Sequence, residues 1–163
     1  MYTKKQKFEV YTIFLLIVYV IQIFTVLVSQ KGTIALYTTY HRPEWALPIH
    51  WLIPTWFVLY TLSGIAGAKI WIKRRSIIRQ YAISSWVVVM ILNILWPVTF
   101  FYIPLPILTP ILITILFIAL VVLLFNSFLV SRPAGYLMIP LSFMMLYKLL
   151  FHWILFILNI QLM

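Results

Sequence analysis

Apolar residues run along this chain in five long blocks, each closed by a short group of charged, proline or small residues. An α-helix needs about 20 mostly apolar residues to cross the hydrocarbon core of a bilayer, and every block reaches that length. The pattern predicts one domain over residues 1–163. Its helices cover 8–29, 51–72, 81–102, 110–130 and 136–160, with residues 30–50 forming a long first loop. Proline supports the breaks. Pro104 and Pro106 in "IPLPIL" favour an extended turn, and Pro110 suits the first turn of a helix. Pro140 is expected in the first turn or two of the last helix, where a missing amide costs least. The expected fold class is an all-α membrane protein, a five-transmembrane-helix bundle whose short connections make neighbours antiparallel.

Composition agrees with lipid as the solvent. The chain has 163 residues, 65% of them hydrophobic and 9% charged, more apolar surface than a soluble domain of this size can hide. A net charge of +10 suggests nucleic acid at first sight. The Lys and Arg residues, however, stand at the ends of apolar blocks and form no continuous stripe, so no nucleic-acid partner is expected. They set the topology instead. Lys4, Lys5 and Lys7, then Lys69, Lys73, Arg74, Arg75 and Arg79, then Arg132 fall on one side, against Lys31 and Arg42 on the other. This places the N-terminus inside, the C-terminus outside and the first loop outside. "MYTKKQK" looks like the basic start of a signal peptide, but the apolar stretch after it is too long and lacks a small-residue cleavage site, which predicts a retained anchor. The expected location is a bacterial cytoplasmic membrane.

Reactive chemistry is scarce. With no cysteine there is no disulfide or thiolate, and with no aspartate the carboxylates are Glu9 and Glu44 alone. A Ser-His-Asp triad lacks its orienting acid. Glycosidase chemistry lacks two neighbouring carboxyls, since Glu9 and Glu44 are expected on opposite faces of the membrane. His41, His50 and Glu44 share the first loop, yet His152 sits on another helix, so a zinc site is not expected. The four glycines have no phosphate-cradling spacing. No catalytic residue, no metal and no obligatory cofactor is expected.

The polar residues inside the spans carry more information. In "LYTLSGIAGAKIW", Ser63 and Gly67 are four apart, as are Gly64 and Ala68, two small-residue pairs that let another backbone approach. That backbone belongs either to this chain or to a second copy. Asn93 and Trp96 share a helix face, and an amide in hydrocarbon must find a partner, either another helix or a ligand. Lys148, His152 and Asn159 fall on one stripe of the last span with Tyr147 beside them. A lysine halfway along a span is costly unless it faces water, a partner or a ligand anion; this one is expected to face a cavity. Trp51, Trp71 and Trp86 near span ends read as an interfacial aromatic belt, whereas Trp56 and Trp96 lie deeper.

"RPEWALPIHWLIPTWFVLYTLSGIA" resembles the signature of the TspO/MBR family, here through Arg42-Pro43, Trp45, Pro48, Pro54, Trp56, Leu59-Tyr60 and Gly64. "LNILWPVTFF" is similar to the family's Asn-x-x-Trp with two phenylalanines, carried by Asn93, Trp96, Phe100 and Phe101. "SRPAGYLMIP" and the late Leu158-Asn159 also agree. The resemblance implies a five-helix bundle, frequent homodimers, and a cavity capped by the first loop that accepts porphyrins, haem or similar amphipathic small molecules. The implied role is sensory or regulatory, with transport or degradation of the same ligands as alternatives. The ligand-binding residues so implied are Trp45, Pro48, Trp56, Tyr60, Asn93, Trp96, Met144, Tyr147 and Lys148. The chain departs from the family at Leu47, Pro97, Val98, Met144, Lys148 and His152. Met144 stands where the family generally has a tryptophan linked to light-driven porphyrin degradation, which puts that activity in doubt. Lys148 is expected to pair with a ligand carboxylate such as a porphyrin propionate.

Overall fold

A computed structural model describes residues 2–103 and 105–160, apart from the side chains of 31–39 and 49. Five helices follow one another: α1 (Lys4–Thr39), α2 (Ile49–Ile72), α3 (Ile77–Tyr102), α4 (Leu108–Val130) and α5 (Arg132–Leu158). No strand occurs among the described residues. All five are long and apolar enough to cross a membrane, and their outer faces keep large residues such as Leu16, Val20, Phe125 and Phe143 exposed. On a water-soluble protein that surface would be a liability; here it is what lipid requires.

Local chemistry sets several helix ends. Thr3 and Gln6 form a reciprocal capping box at α1, the Gln6 amide donating to Thr3 Oγ1 and the Thr3 amide to Gln6 Oε1. The Ser76 hydroxyl accepts from the Arg79 amide to start α3. Pro133 occupies the first turn of α5, where its missing amide is harmless.

Most boundaries differ from those read in the sequence by four residues or fewer. The first loop is the exception. α1 runs on to Thr39, so the connection to α2 is Tyr40–Pro48 and not 30–50. Residues 30–39 are polar enough to break a hydropathy window but contain no proline, so nothing stops the helix. The structure also starts α5 at Arg132, so Pro140 falls in its third turn, deeper than expected.

The helices pack in a ring, α1 beside α2, α2 beside α5, α5 beside α4, α4 beside α3, and α3 beside α1. Some α2 residues reach across to α3. The small residues of α2 face α1: a Cβ on Gly64 would stand 3.0 Å from Val18 Cγ2, and Gly67 lies against the Phe14 ring. The seam is therefore filled within the chain. Trp86 is not part of an interfacial belt. It is buried against Phe14 at 4.8 Å between ring centroids, and its indole N–H donates to the Ser63 carbonyl. Trp51 and Trp71 remain exposed.

Candidate ligand-binding cavity

The backbones of α1 and α5 do not come together among the described residues, and the space between them is hollow. Helical periodicity aims one stripe of each wall inward. On α5 the stripe is Met144, Tyr147, Lys148, Phe151 and His152; on α2 it is Leu52, Trp56 and Tyr60; on α1 it is Gln22, Thr25 and Ser29. Two chambers result. The larger, about 350 Å³, lies towards α1 and α2. The smaller, about 90 Å³, lies between α3 and α5, against Phe100 and Phe101. Leu52, Trp56, Trp96 and Lys148 border both.

Lys148 is the electrostatic centre. It is only 5% exposed, and its ammonium sits 3.4 Å from the Trp96 ring centroid and 5.0 Å from that of Trp56. Two indole faces thus flank a nearly buried amine and offer it cation–π contact. The chain's two carboxylates, Glu9 and Glu44, are both exposed and far along the sequence. One helical turn on, His152 Nδ1 donates to the Lys148 carbonyl at 2.8 Å, and its ring meets Trp96 and Phe100 edge-on. In the larger chamber, the Gln22 side-chain oxygen is buried with no hydrogen-bond partner among the described residues. A buried amide without a partner costs free energy, and the chamber it lines is where one would be supplied.

The connection Tyr40–Pro48 closes the end of the hollow. Asn159 is fully buried and clasps it with its amide. The Asn159 oxygen accepts from the His41 amide, and its nitrogen donates to the His41 and Leu155 carbonyls, each at 2.8 Å. At the other end of the connection the Leu47 amide donates to the Tyr147 hydroxyl at 2.8 Å. Trp45 lies edge-on over Tyr147 and Phe151, 5.5 and 6.3 Å between centroids, with about half its surface exposed. The described side-chain links of the lid thus lead to Tyr147 on α5 and to Asn159 just beyond its end. Replacing Asn159 by Leu removes both links to His41, and amide exchange over residues 41–47 should quicken about tenfold while α4 is unaffected; mass-resolved hydrogen exchange checks this.

The structure gathers most of the residues the sequence singled out. Trp56, Tyr60, Trp96, Met144, Tyr147 and Lys148 line the hollow. Trp45 roofs it from outside. Asn93 stands behind the wall, accepting from the Tyr60 hydroxyl at 3.1 Å and donating to Val89, so the interhelical partner is the one its amide uses. Pro48 caps α2 and is exposed. Gln22, Thr25 and Phe151 escaped the sequence reading. The first two had a signal: Gln22, Thr25 and Ser29 are polar residues at i, i+3 and i+7 in an otherwise apolar span. Phe151 had none, because one more phenylalanine in a greasy helix marks nothing.

Comparison with known proteins now bears on this arrangement. Residues 13–158 match the model of the TspO/MBR family. A relative named tryptophan-rich protein TspO, from Chlorobaculum tepidum, is 32% identical over 111 residues, covering 64% of this chain and 66% of the relative. The match thus spans just under two thirds of that protein's length.

Proposed function

The chain belongs to the TspO/MBR family, and from that premise we propose that it binds tetrapyrroles, such as porphyrin or haem, or comparable flat amphipathic molecules in the cavity between α1, α2, α3 and α5. Family membership marks it as an integral membrane protein of the sensory, ligand-binding kind. The finer reading rests on one observation: an aromatic hollow in which Lys148, the one cation among the described lining residues, is held between two indoles with no acid buried beside it. The rings supply dispersion and stacking for a flat apolar body, and the ammonium supplies a partner for a carboxylate at its edge. The larger chamber alone falls in the range of small-molecule pockets, about 300–1,000 Å³.

In this reading the lid and its clasp by Asn159 govern entry. The N-terminus and the basic α2–α3 connection face the cytoplasm of a bacterial cell. A homodimer uses the outer lipid-facing surface, since α1 already fills the Gly64 and Gly67 seam. Met144, a thioether, offers no indole for light-driven chemistry on the ligand, so binding is favoured over degradation.

Titrating the full chain with protoporphyrin and with haem, while following tryptophan emission, tests the proposal. Trp56 and Trp96 line the cavity, so quenching should be deep, saturable and competitive between the two ligands. Emission that falls linearly with added porphyrin, without saturation, would sink it.

A further inference from the structure

At the end of the bundle away from the lid, α2 and α3 are joined by residues 73–76, and basic residues crowd there: Lys69, Lys73, Arg74, Arg75 and Arg79. Most are exposed or half-exposed, as a solvated charge cluster should be. Arg79 is not. It is 7% exposed, with its guanidinium carbon 4.8 Å above the Trp71 ring and its Nε donating to the Trp71 carbonyl at 3.0 Å. That bond satisfies one of the carbonyls left open at the end of α2. It uses one donor of five. The two terminal nitrogens make no hydrogen bond among the described residues, although a buried guanidinium is costly unless its charge and its donors are matched.

Arg79 borders a cleft of about 280 Å³ lined by Trp71, Arg75, Arg79, Gln80, Ile83 and Ser84. Its polar groups are two guanidinium forks, an amide and a hydroxyl, with no carboxylate. Exposed Ile77 and Ile78 begin the same helix and give this end of α3 an apolar surface. We propose that this cleft binds a phosphate group, presented by an anionic phospholipid headgroup at the membrane surface or as the free anion. A planar fork matches two phosphate oxygens at once. A point-charge cluster would not need to bury one arginine beneath an indole to attract lipid; a shaped site would. No residue is shared with the cavity under the lid, so the proposal stands or falls separately from tetrapyrrole binding.

Native mass spectrometry of the full chain in neutral detergent, titrated with phosphatidylglycerol or with phosphatidylcholine, reads the site directly. The wild type should retain one phosphatidylglycerol preferentially. Arg79→Gln should weaken that binding roughly tenfold or more, since a charge-assisted bond is lost, whereas Lys73→Gln should weaken it about twofold, the worth of an exposed charge. Ser84→Leu changes an exposed position and leaves every charge in place, yet fills the cleft; it should lose the lipid as Arg79→Gln does while keeping the wild-type helical content. Inorganic phosphate is the second arm. If it displaces the lipid from the wild type, the free anion is also a ligand; if it does not, the headgroup in its membrane setting is. Equal losses from Arg79→Gln and Lys73→Gln, with Ser84→Leu binding as wild type, overturn the site and leave only diffuse attraction.

Discussion

Lys148→Met should lower the affinity for protoporphyrin by about thirtyfold or more and, in the same protein, raise the melting temperature of the ligand-free form. The two effects have one cause. A buried ammonium is taken from water at a cost of several kcal/mol, and cation–π contacts with Trp56 and Trp96, about 2 kcal/mol or more for a desolvated cation, return only part of it. Methionine has nearly the same length and volume and asks for no solvation, so the empty fold gains. A ligand carboxylate reverses the balance, because it meets a cation that is already desolvated. Removing one partner of such a buried pair costs about 2–5 kcal/mol, and 2 kcal/mol is about thirtyfold in Kd. Protoporphyrin dimethyl ester has no carboxylate to lose, and its affinity should stay within about twofold. Fluorescence titration with both ligands and a thermal melt in detergent check this. If the acid and the ester weaken together, Lys148 acts through cavity shape and not through charge.

The opposite signs matter because misfolding cannot mimic them. They also show why this site was partly legible in the sequence. A lysine midway along an apolar span violates the local rule for its surroundings, and violations of that kind concentrate where a protein does something. Hydropathy alone located the five helices, since length and apolarity are all that a lipid-facing helix must satisfy. It could not locate the end of α1, where residues 30–39 are too polar to extend the apolar window and yet contain no proline to break the helix. Nor could it separate Trp86 from Trp71. Phe14 on α1 meets both rings, and it is the place of Trp86 in the third turn of α3, where its indole reaches the Ser63 carbonyl, that buries it while Trp71 stays exposed. Asn159 was visible as one polar residue on a stripe, but its role as the lid's clasp depends on where a loop more than a hundred residues earlier comes to rest. Packing partners distant in sequence are what a one-dimensional pattern omits.

The same holds for the small-residue seam of α2, which the sequence reads first as an intramolecular contact and second as a dimer interface; the structure gives it to α1, and a strong prediction follows. A Cβ placed on Gly67 would lie 2.6 and 2.8 Å from two carbons of the Phe14 ring and 2.9 Å from the Trp86 indole nitrogen. Neither ring can move aside cheaply, since Phe14 and Trp86 are both buried, they pack on each other, and Trp86 is anchored by its bond to the Ser63 carbonyl. Gly67→Ala should therefore destabilise the bundle by about 1–3 kcal/mol through overpacking, plus about 1 kcal/mol if the indole bond breaks. Gly67→Leu should not yield a folded protein. Gly135→Ala meets the same kind of obstacle: its Cβ would stand 2.5 Å from the Phe128 ring, Cγ at the root of that side chain included, so it should destabilise the bundle comparably. Trimming the obstruction gives the decisive measurement. Phe14→Leu combined with Gly67→Ala should recover part of the loss, so that the double variant melts higher than the sum of the single changes predicts. Strict additivity in those melts would mean that α1 does not rest on Gly67. Because α1 also carries Gln22 and Thr25, the width of the larger chamber is set by how closely these two helices approach, and Gly67→Ala should loosen ligand binding along with the fold.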